Sequence, residues 1–494
     1  MKSTRYTPET IIKRDEIDRY YQNGRDFIDD DLIERQLEAG RNPDPARIRD
    51  ILAKSLAIET LDPTETALLL HVTDPELRRE MEETALKIKH FVYDNRIVTF
   101  APMYISNYCV NKCKYCGFST DNTLQERRTL SYEEIQAEAA AMTGRDGHKR
   151  VMAVYGEHPT TGAEFIAKSL EAIYSVSVKT RRGKSNVRRI NVNASPMSIA
   201  DLKIVQAAGI GTFQVFQETY HHKTYAEMHP AGTLKGDYGW RITAMHRAFD
   251  AGIDDVGLGA LFGLYDWRFE VMGLVTHARE LERYSGVGPH TFSVPRMHPA
   301  SGSDVSSHPI DGFTDDQFAH AVTVLRLSVP YTGLIITARE SPELRDRCVD
   351  LGITQMDAST RIGIGAYAKT AVEQEIDKQQ FLLGDPRTLE ELICDLARRG
   401  IITSFCTAGY RCGRTGGCIM DMLKTGKEGT FCKINAVLTF REWLDDFASP
   451  ESVKICEPVV LSELAGIKEM YPKFYPEVFD RYERICNGER DLYF

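Results

Sequence analysis

The spacing of apolar positions changes along the chain, and the change divides it. From Pro8 to about Arg96 the residues are mostly charged, and Leu77, Met81, Leu86, Ile88 and Phe91 recur at roughly helical intervals. This predicts a helical N-terminal segment, residues 1–96. From about Val98 short apolar runs alternate with amphipathic stretches and sharp turns. The runs Val98–Ile105, Arg150–Tyr155, Arg189–Ala194, Thr212–Phe216, Asp255–Leu261, Thr291–Pro295, Leu334–Ala338 and Thr354–Ala358 predict eight strands. Between them Ser131–Met142, Ala163–Ile173, Trp240–Ala251, Arg268–Tyr284, Asp315–Leu327 and Glu343–Leu351 predict helices. Eight strand-helix repeats predict an α/β fold of the TIM type, a (β/α)8 barrel over residues 97–367, with functional residues at the C-terminal ends of the strands. Residues 368–494 read as a C-terminal extension: a helix at Arg387–Arg399, a Cys- and Gly-rich segment at Phe405–Phe431, and a helical, aromatic end. The run Ser301–Thr314 reads as a mobile surface loop.

Composition narrows the classes of function. A chain of 494 residues can bury a large core, and 42% hydrophobic with 27% charged residues is ordinary for a globular protein. A net charge of −10 argues against a general grip on nucleic acid or on anionic lipid. No apolar run is long enough to span a membrane and the N-terminus lacks a secretion signal, so the expected location is the cytoplasm. Eleven cysteines cannot all pair internally, which turns attention to metal or redox chemistry.

Three of them, Cys109, Cys113 and Cys116, stand in NYCVNKCKYCGF directly after the first predicted strand, spaced C-x3-C-x2-C. Three thiolates on one loop can hold three irons of a 4Fe–4S cube and leave the fourth open for chemistry. A structural zinc site would fill four positions, and an inert turn is the remaining alternative. The spacing, the aromatic residue beside the last cysteine and the barrel pattern resemble the radical S-adenosylmethionine (radical SAM) superfamily. The resemblance implies a 4Fe–4S cluster whose open iron binds S-adenosylmethionine, Gly156 and Glu157 against its amino group, and Gly257 and Gly259 of VGLGALFGLYDW beside its adenine; glycines after a strand are otherwise ordinary turn residues.

Longer blocks, among them GIGTFQVFQETYHHKTYAEMHP, GVGPHTFSVPR and VPYTGLIITARE, are similar to the aromatic amino acid lyases of the HydG type, which serve FeFe-hydrogenase maturation, and next to the ThiH type. The similarity runs from about residue 60 to about 450. It implies a carbon-carbon lyase that splits tyrosine at Cα–Cβ into dehydroglycine (2-iminoacetate) and p-cresol, with an electron donor such as ferredoxin or flavodoxin and a metallocofactor maturation partner. Arg296 matches the family's Ser-x-Pro-Arg element as an anchor for the substrate carboxylate, supported by Ser293, or else forms a rim salt bridge. Glu218 and Tyr220, with Gln217 as a substitute, match the Gln-Glu-Thr-Tyr block of the pocket; Tyr220 reads equally as structural. Arg361 is a further candidate for substrate contact.

The family carries C-x2-C-x22-C for an auxiliary cluster with an extra iron. Here Cys406 and Cys432 keep the outer positions, but the middle one is Gly409. Three readings stay open: Cys412 and Cys418 complete a four-thiolate cluster, Cys412 alone replaces the missing thiol, or no second cluster forms. His277 is the candidate for the family's extra-iron histidine, or else an ordinary helix histidine. Asn193 stands where the family carries an acid, a second departure near the cavity. Cys348, Cys394, Cys456 and Cys486 read as bystanders. Besides the HydG-type reaction, a ThiH-like lyase, a paralogue acting on another aromatic amino acid and a non-catalytic iron–sulfur carrier remain as alternatives.

Overall fold

The computed structural model describes residues 6–310, 312–369, 381, 383–425 and 428–494. Eight parallel strands follow one another around a ring: β1 (Arg96–Ser106), β2 (Arg150–Tyr155), β3 (Arg189–Asn193), β4 (Phe213–Gln214), β5 (Val256–Gly259), β6 (Thr291–Ser293), β7 (Gly333–Ile336) and β8 (Gln355–Asp357). The ring closes where β8 pairs with β1, Val98 opposite Gln355 and Phe100 opposite Asp357. All eleven residues of β1 are buried, as a strand covered by helices on one side and enclosing a core on the other requires. The expected strands are all found, some of them shorter; the fourth keeps only two residues of ladder.

The N-terminal segment is helical. Its longest member, Pro75–Tyr93, is capped by Asp74, whose side chain accepts from the amides of Glu76 and Leu77, and Pro75 takes the first position, where no amide hydrogen is needed. Leu77, Met81 and Ile88 face the core as their spacing predicts, whereas Phe91 is 51% exposed because the helix turns that face to solvent. A second contact ties the segment to the barrel mouth. His222 bonds Asp30 at 2.8 Å and Asp26 at 3.1 Å and stacks on Tyr238. Burial works against its charge, but the two carboxylates prevail and push the imidazole up to about 9. Because the folded value lies above the ordinary 6.5, this stabilisation is complete below about pH 6.5 and is lost as pH rises through about 9. Limited proteolysis of the N-terminal segment should therefore accelerate between pH 7 and pH 10 in the wild type, and a His222→Phe variant should show no such rise.

The C-terminal extension is built onto the barrel. A ninth strand, β9 (Ile402–Ser404), pairs in parallel with Arg96–Val98 of β1. On the helix Glu428–Asp446, Glu442 receives Lys149 at 2.9 Å and Arg188 at 2.5 Å, all three side chains at most 1% exposed. Removing one partner of such a buried pair costs about 3–5 kcal/mol. The stretch Ser301–Thr314, expected as a mobile loop, contains the short helix Asp304–Ser307 and is fastened to the loop after β1 by Asn122, which donates to the Ser301 carbonyl, and by Ser303, which donates to that of Lys114. No helix among the described residues is long and apolar enough to cross a membrane.

Candidate active site

A cavity of about 220 Å³ opens at the C-terminal ends of the strands. Cys109, Cys113 and Cys116 all line it, on the loop that follows β1. Arg127 shapes this loop by donating to the carbonyls of Asn107, Phe118, Ser119 and Asn122. From the far side Lys114 N donates to Met228 O, and the Tyr115 hydroxyl meets His229 Nε2 at 2.8 Å. Burial raises the thiol of Cys109 and pushes that of Cys113 up to about 12 despite Lys235 nearby. Metal binding there has to displace protons.

Gly156 and Glu157 end β2 against the same loop. A Cβ on Gly156 would lie 2.2 Å from the Tyr108 carbonyl, so only glycine admits this approach. Val110 N donates to Glu157 O, and Glu157 Oε2 accepts from Asn111 at 2.5 Å. Burial raises the Glu157 carboxyl, with Asn111, Arg241 and Lys235 acting against it. Glu218 also lines the cavity, from a left-handed backbone position (φ 72) after β4. Lys235 at 2.7 Å and Arg241 at 3.4 Å hold it. Burial would raise its carboxyl, yet the two cations bring it below the usual carboxylate range.

The rest of the wall is mostly apolar: Phe100, Tyr104, Phe118, Phe216, Leu261 and Ile335. Ser293 and Asn193 line it as well. Arg296 does not. Its guanidinium is held by Asp315 at 2.7 Å and by Glu340 and points to the rim. Two guanidinium groups line the cavity instead, that of Arg241, which Glu218 engages, and that of Arg339, just beyond β7 and 3.3 Å from the Phe381 ring centroid. Among the described residues no carboxylate pairs with Arg339. Burial lowers the Arg339 guanidinium, with Tyr104 and Glu218 opposing. Arg339 stands in the block VPYTGLIITARE, and its place just after a strand is the legible signal for it.

Other predicted residues stand elsewhere. Gly257 and Gly259 are barrel packing positions: a Cβ on the first would meet Gln214 and Thr291 at 2.7 Å, and on the second the Phe216 ring at 2.6 Å. Tyr220 is fully buried behind the wall, where its hydroxyl meets His277 Nδ1 at 3.1 Å. His277 packs on Phe27 and Tyr220, beneath the N-terminal segment. Gln217 lies outside the cavity lining, and Arg361 bonds the carbonyls of Ala366 and Lys369. Cys348, Cys394 and Cys456 are buried and Cys486 half-buried.

At the opposite end of the barrel, Cys406 follows β9 and shares a hydrogen bond with Cys432. That bond, with Arg189, Arg150 and Arg96 nearby, outweighs burial and holds the Cys406 thiol well below its ordinary value. His290 senses the Cys406 charge from within this layer, beside Asp255 at 3.8 Å. Cys412 is exposed, its Sγ 3.6 Å from the Phe494 carbonyl oxygen, and Cys418 is exposed on the helix Gly416–Lys424. Gly409 precedes both, on the turn Ala408–Arg411.

A cubic cluster meets each thiolate at a different iron, so its ligands need not converge as ligands of a single ion do. Among the described residues no group of three or more His, Cys, Asp or Glu is set to hold one metal ion. Three thiols on one cavity wall fit the cube, with room beside them for a bound molecule. Fold and site thus define a radical SAM enzyme, and the radical SAM superfamily profile matches residues 103–271, followed by the biotin and thiamin synthesis associated domain over 293–402. The cofactors are accordingly a 4Fe–4S cluster and S-adenosylmethionine.

The 2-iminoacetate synthase of Escherichia coli (strain K12) is 30% identical over 324 residues, 65% of this chain and 81% of the relative. A crystal structure of HydG, a maturase of the FeFe-hydrogenase, superposes with a TM-score of 0.89 at 40% identity, covering 95% of this chain and all of that one. HydG from Carboxydothermus hydrogenoformans gives 0.74 at 35% identity, over 92% and 98%. The chain belongs to the family of radical SAM lyases that includes 2-iminoacetate synthase and HydG.

Proposed function

We propose that the protein cleaves tyrosine between Cα and Cβ, yielding 2-iminoacetate and p-cresol. The observation that carries this reading is one cavity lined by three thiols, by aromatic and aliphatic side chains, and by the guanidinium of Arg339, unpaired by any described carboxylate. When bound on Cys109, Cys113 and Cys116, the cluster with S-adenosylmethionine supplies hydrogen abstraction by a one-electron route.

The chain's own residues bind and orient. Glu157 and Glu218 offer acceptors for an ammonium group, and Glu218 stays ionised because Lys235 and Arg241 neutralise its burial. Arg339 offers a planar fork to a carboxylate, which Arg296, already held by two acids, does not. Phe100, Phe118 and Ile335 exclude water from around a ring. Ser293 and Asn193 add hydrogen-bonding groups, and Asn193 brings no charge of its own. An electron donor of the ferredoxin or flavodoxin kind completes the requirement.

A second reading concerns how far the chemistry runs. Cys406 and Cys432 form a pair, while Cys412 turns to Phe494 and Gly409 has no side chain. Two thiols are too few to hold a cube by themselves, so this chain is read as a lyase that stops at 2-iminoacetate. Anaerobic incubation with S-adenosylmethionine, dithionite and tyrosine should release 5′-deoxyadenosine and p-cresol together, with no carbon monoxide or cyanide. S-adenosylmethionine cleavage that does not respond to tyrosine, or that responds to tryptophan instead, removes the substrate assignment.

A further inference from the structure

Glu218 lines the cavity from a left-handed backbone (φ 72), a conformation that is costly for a residue with a side chain and persists where its surroundings impose it. The start of this turn is tied to the end of β5: Gln217 N donates to Gly259 O at 2.9 Å, and Glu218 O accepts from Leu261 N at 2.7 Å. The far end is tied to a helix outside the barrel. On Trp267–Ser285, residues 270, 273 and 277 stand three and four apart and so share one face. The Glu270 carboxyl accepts from the Thr219 hydroxyl at 2.5 Å and from the Tyr220 amide at 2.9 Å. A Cβ on Gly273 would lie 2.3 Å from the Tyr220 ring, so only glycine leaves room for it. His277 Nδ1 meets the hydroxyl at the end of that ring at 3.1 Å. One helix face thus receives residues 219 and 220.

Glu270 is fully buried, and both of its oxygens are committed to this turn. Burial pushes its carboxyl up to about 8, against the bonds from Thr219 and Tyr220, and the charges of Asp266 and of Asp30 from the N-terminal segment add to the rise. At neutral pH the group is therefore a carboxylic acid, which accepts at one oxygen and donates at the other, as a glutamine amide does with its oxygen and nitrogen. A buried carboxyl beside other acids is expensive to keep. It does not line the cavity, so its effect there passes through the turn.

We infer that Glu270 is a positioning residue for Glu218: by fixing Thr219 and Tyr220 it holds the turn in the left-handed form that aims the Glu218 carboxylate at Lys235, Arg241 and the cavity. The inference rests on the reading of Glu218 as an acceptor for a ligand ammonium group. Thr219 and Tyr220 are fully buried, and without Glu270 the Thr219 hydroxyl and the Tyr220 amide lose their acceptor. The turn then relaxes toward an ordinary negative φ, which carries the carboxylate away from its two cations.

The test uses the full reconstituted chain under anaerobic conditions, with S-adenosylmethionine affinity from calorimetry, KM for tyrosine from p-cresol formation, and the melting temperature of each variant. Glu218→Gln shows which of the two ligands depends on Glu218, and the other variants are judged on that ligand. Glu270→Leu should weaken it at least about tenfold, Thr219→Val about threefold, and Glu270→Gln, which keeps both bonds, less than about twofold. In the Glu218→Gln background Glu270→Leu should add less than about twofold, because the group it aims is already altered. Thr219→Val leaves the acid and the side-chain shape in place, and in the same two backgrounds it decides the matter if Glu270→Leu does not fold. Wild-type affinity in Glu270→Leu and Thr219→Val, or an equal loss with and without the Glu218 carboxylate, overturns the positioning role and leaves the reading of Glu218 intact. Wild-type behaviour of Glu218→Gln toward both ligands removes that reading and the positioning role together. Absence of p-cresol from the wild type, with S-adenosylmethionine affinities in the expected order, removes only the tyrosine assignment.

Discussion

Replacing Arg339 with leucine is expected to lower kcat/KM for tyrosine about 100- to 1000-fold, the loss that follows from removing a buried partner of a carboxylate. The argument is one of availability. Among the described residues Lys235, Arg241 and Arg339 line the cavity and Arg296 stands at its rim, and three of these four are already engaged: Lys235 and Arg241 by Glu218, Arg296 by Asp315 and Glu340. Arg339 alone among these four has no acid partner among the described residues, and its guanidinium lies over Phe381. Arg339→Lys should recover only part of the activity, because a point charge lacks the planar fork. Arg296→Leu should lower the melting temperature, by leaving the buried Glu340 without its partner, and change kcat/KM far less. The measurement is p-cresol formation against tyrosine concentration, with 5′-deoxyadenosine followed alongside. Equal damage from both variants would return the carboxylate anchor to Arg296.

Introducing a thiol by Gly409→Cys is expected to raise the iron content from about four to about eight per chain after reconstitution, with a second paramagnetic signal on reduction. The backbone permits it. Gly409 is not in the left-handed region, and the nearest atom to an added Cβ is the Arg414 carbonyl oxygen at 3.6 Å, an ordinary contact. Cys406 and Cys432 are free thiols that already share a hydrogen bond, and the surrounding arginines favour the thiolate of Cys406. Adding Cys406→Ala to the variant should return the iron content to about four. A wild-type chain that already carries about eight irons and drops with Cys412→Ala would make Cys412 the third thiol instead.

Much of the site is legible in the sequence because it is local. The triad Cys109, Cys113 and Cys116 lies on a single loop, and its spacing alone brings three thiols to one wall. Gly156 and Glu157 end the next strand, and strand ends are where a barrel puts its chemistry. Glu218 and Ser293 follow the same rule and line the cavity. Tyr220 follows it and does not, because two more residues of chain carry its ring behind the wall to His277.

The histidines show the limit. His277 sits on a helix that turns it toward Phe27, a residue from the far N-terminal part of the chain. His290 opens a strand at the other end of the barrel, in the layer that Cys406 enters, and nothing in its flanking residues marks that meeting. The glycines of VGLG are similar. Their pattern resembles a binding surface, and the register with Gln214 and Thr291 makes them clearance inside the barrel.

The sequence by itself determined the order of strands and helices, the barrel they close into, the cysteine triad and its place at the strand ends, since periodicity and spacing are properties of neighbouring residues. Tertiary structure alone decided which arginine at the cavity is left without an acid partner among the described residues, and which arginines are engaged elsewhere. Each of those outcomes depends on charges and volumes contributed by distant segments, Glu340 and Asp315 for Arg296, Tyr410 and Asp255 for Arg189, and no local pattern encodes which partner a side chain will find.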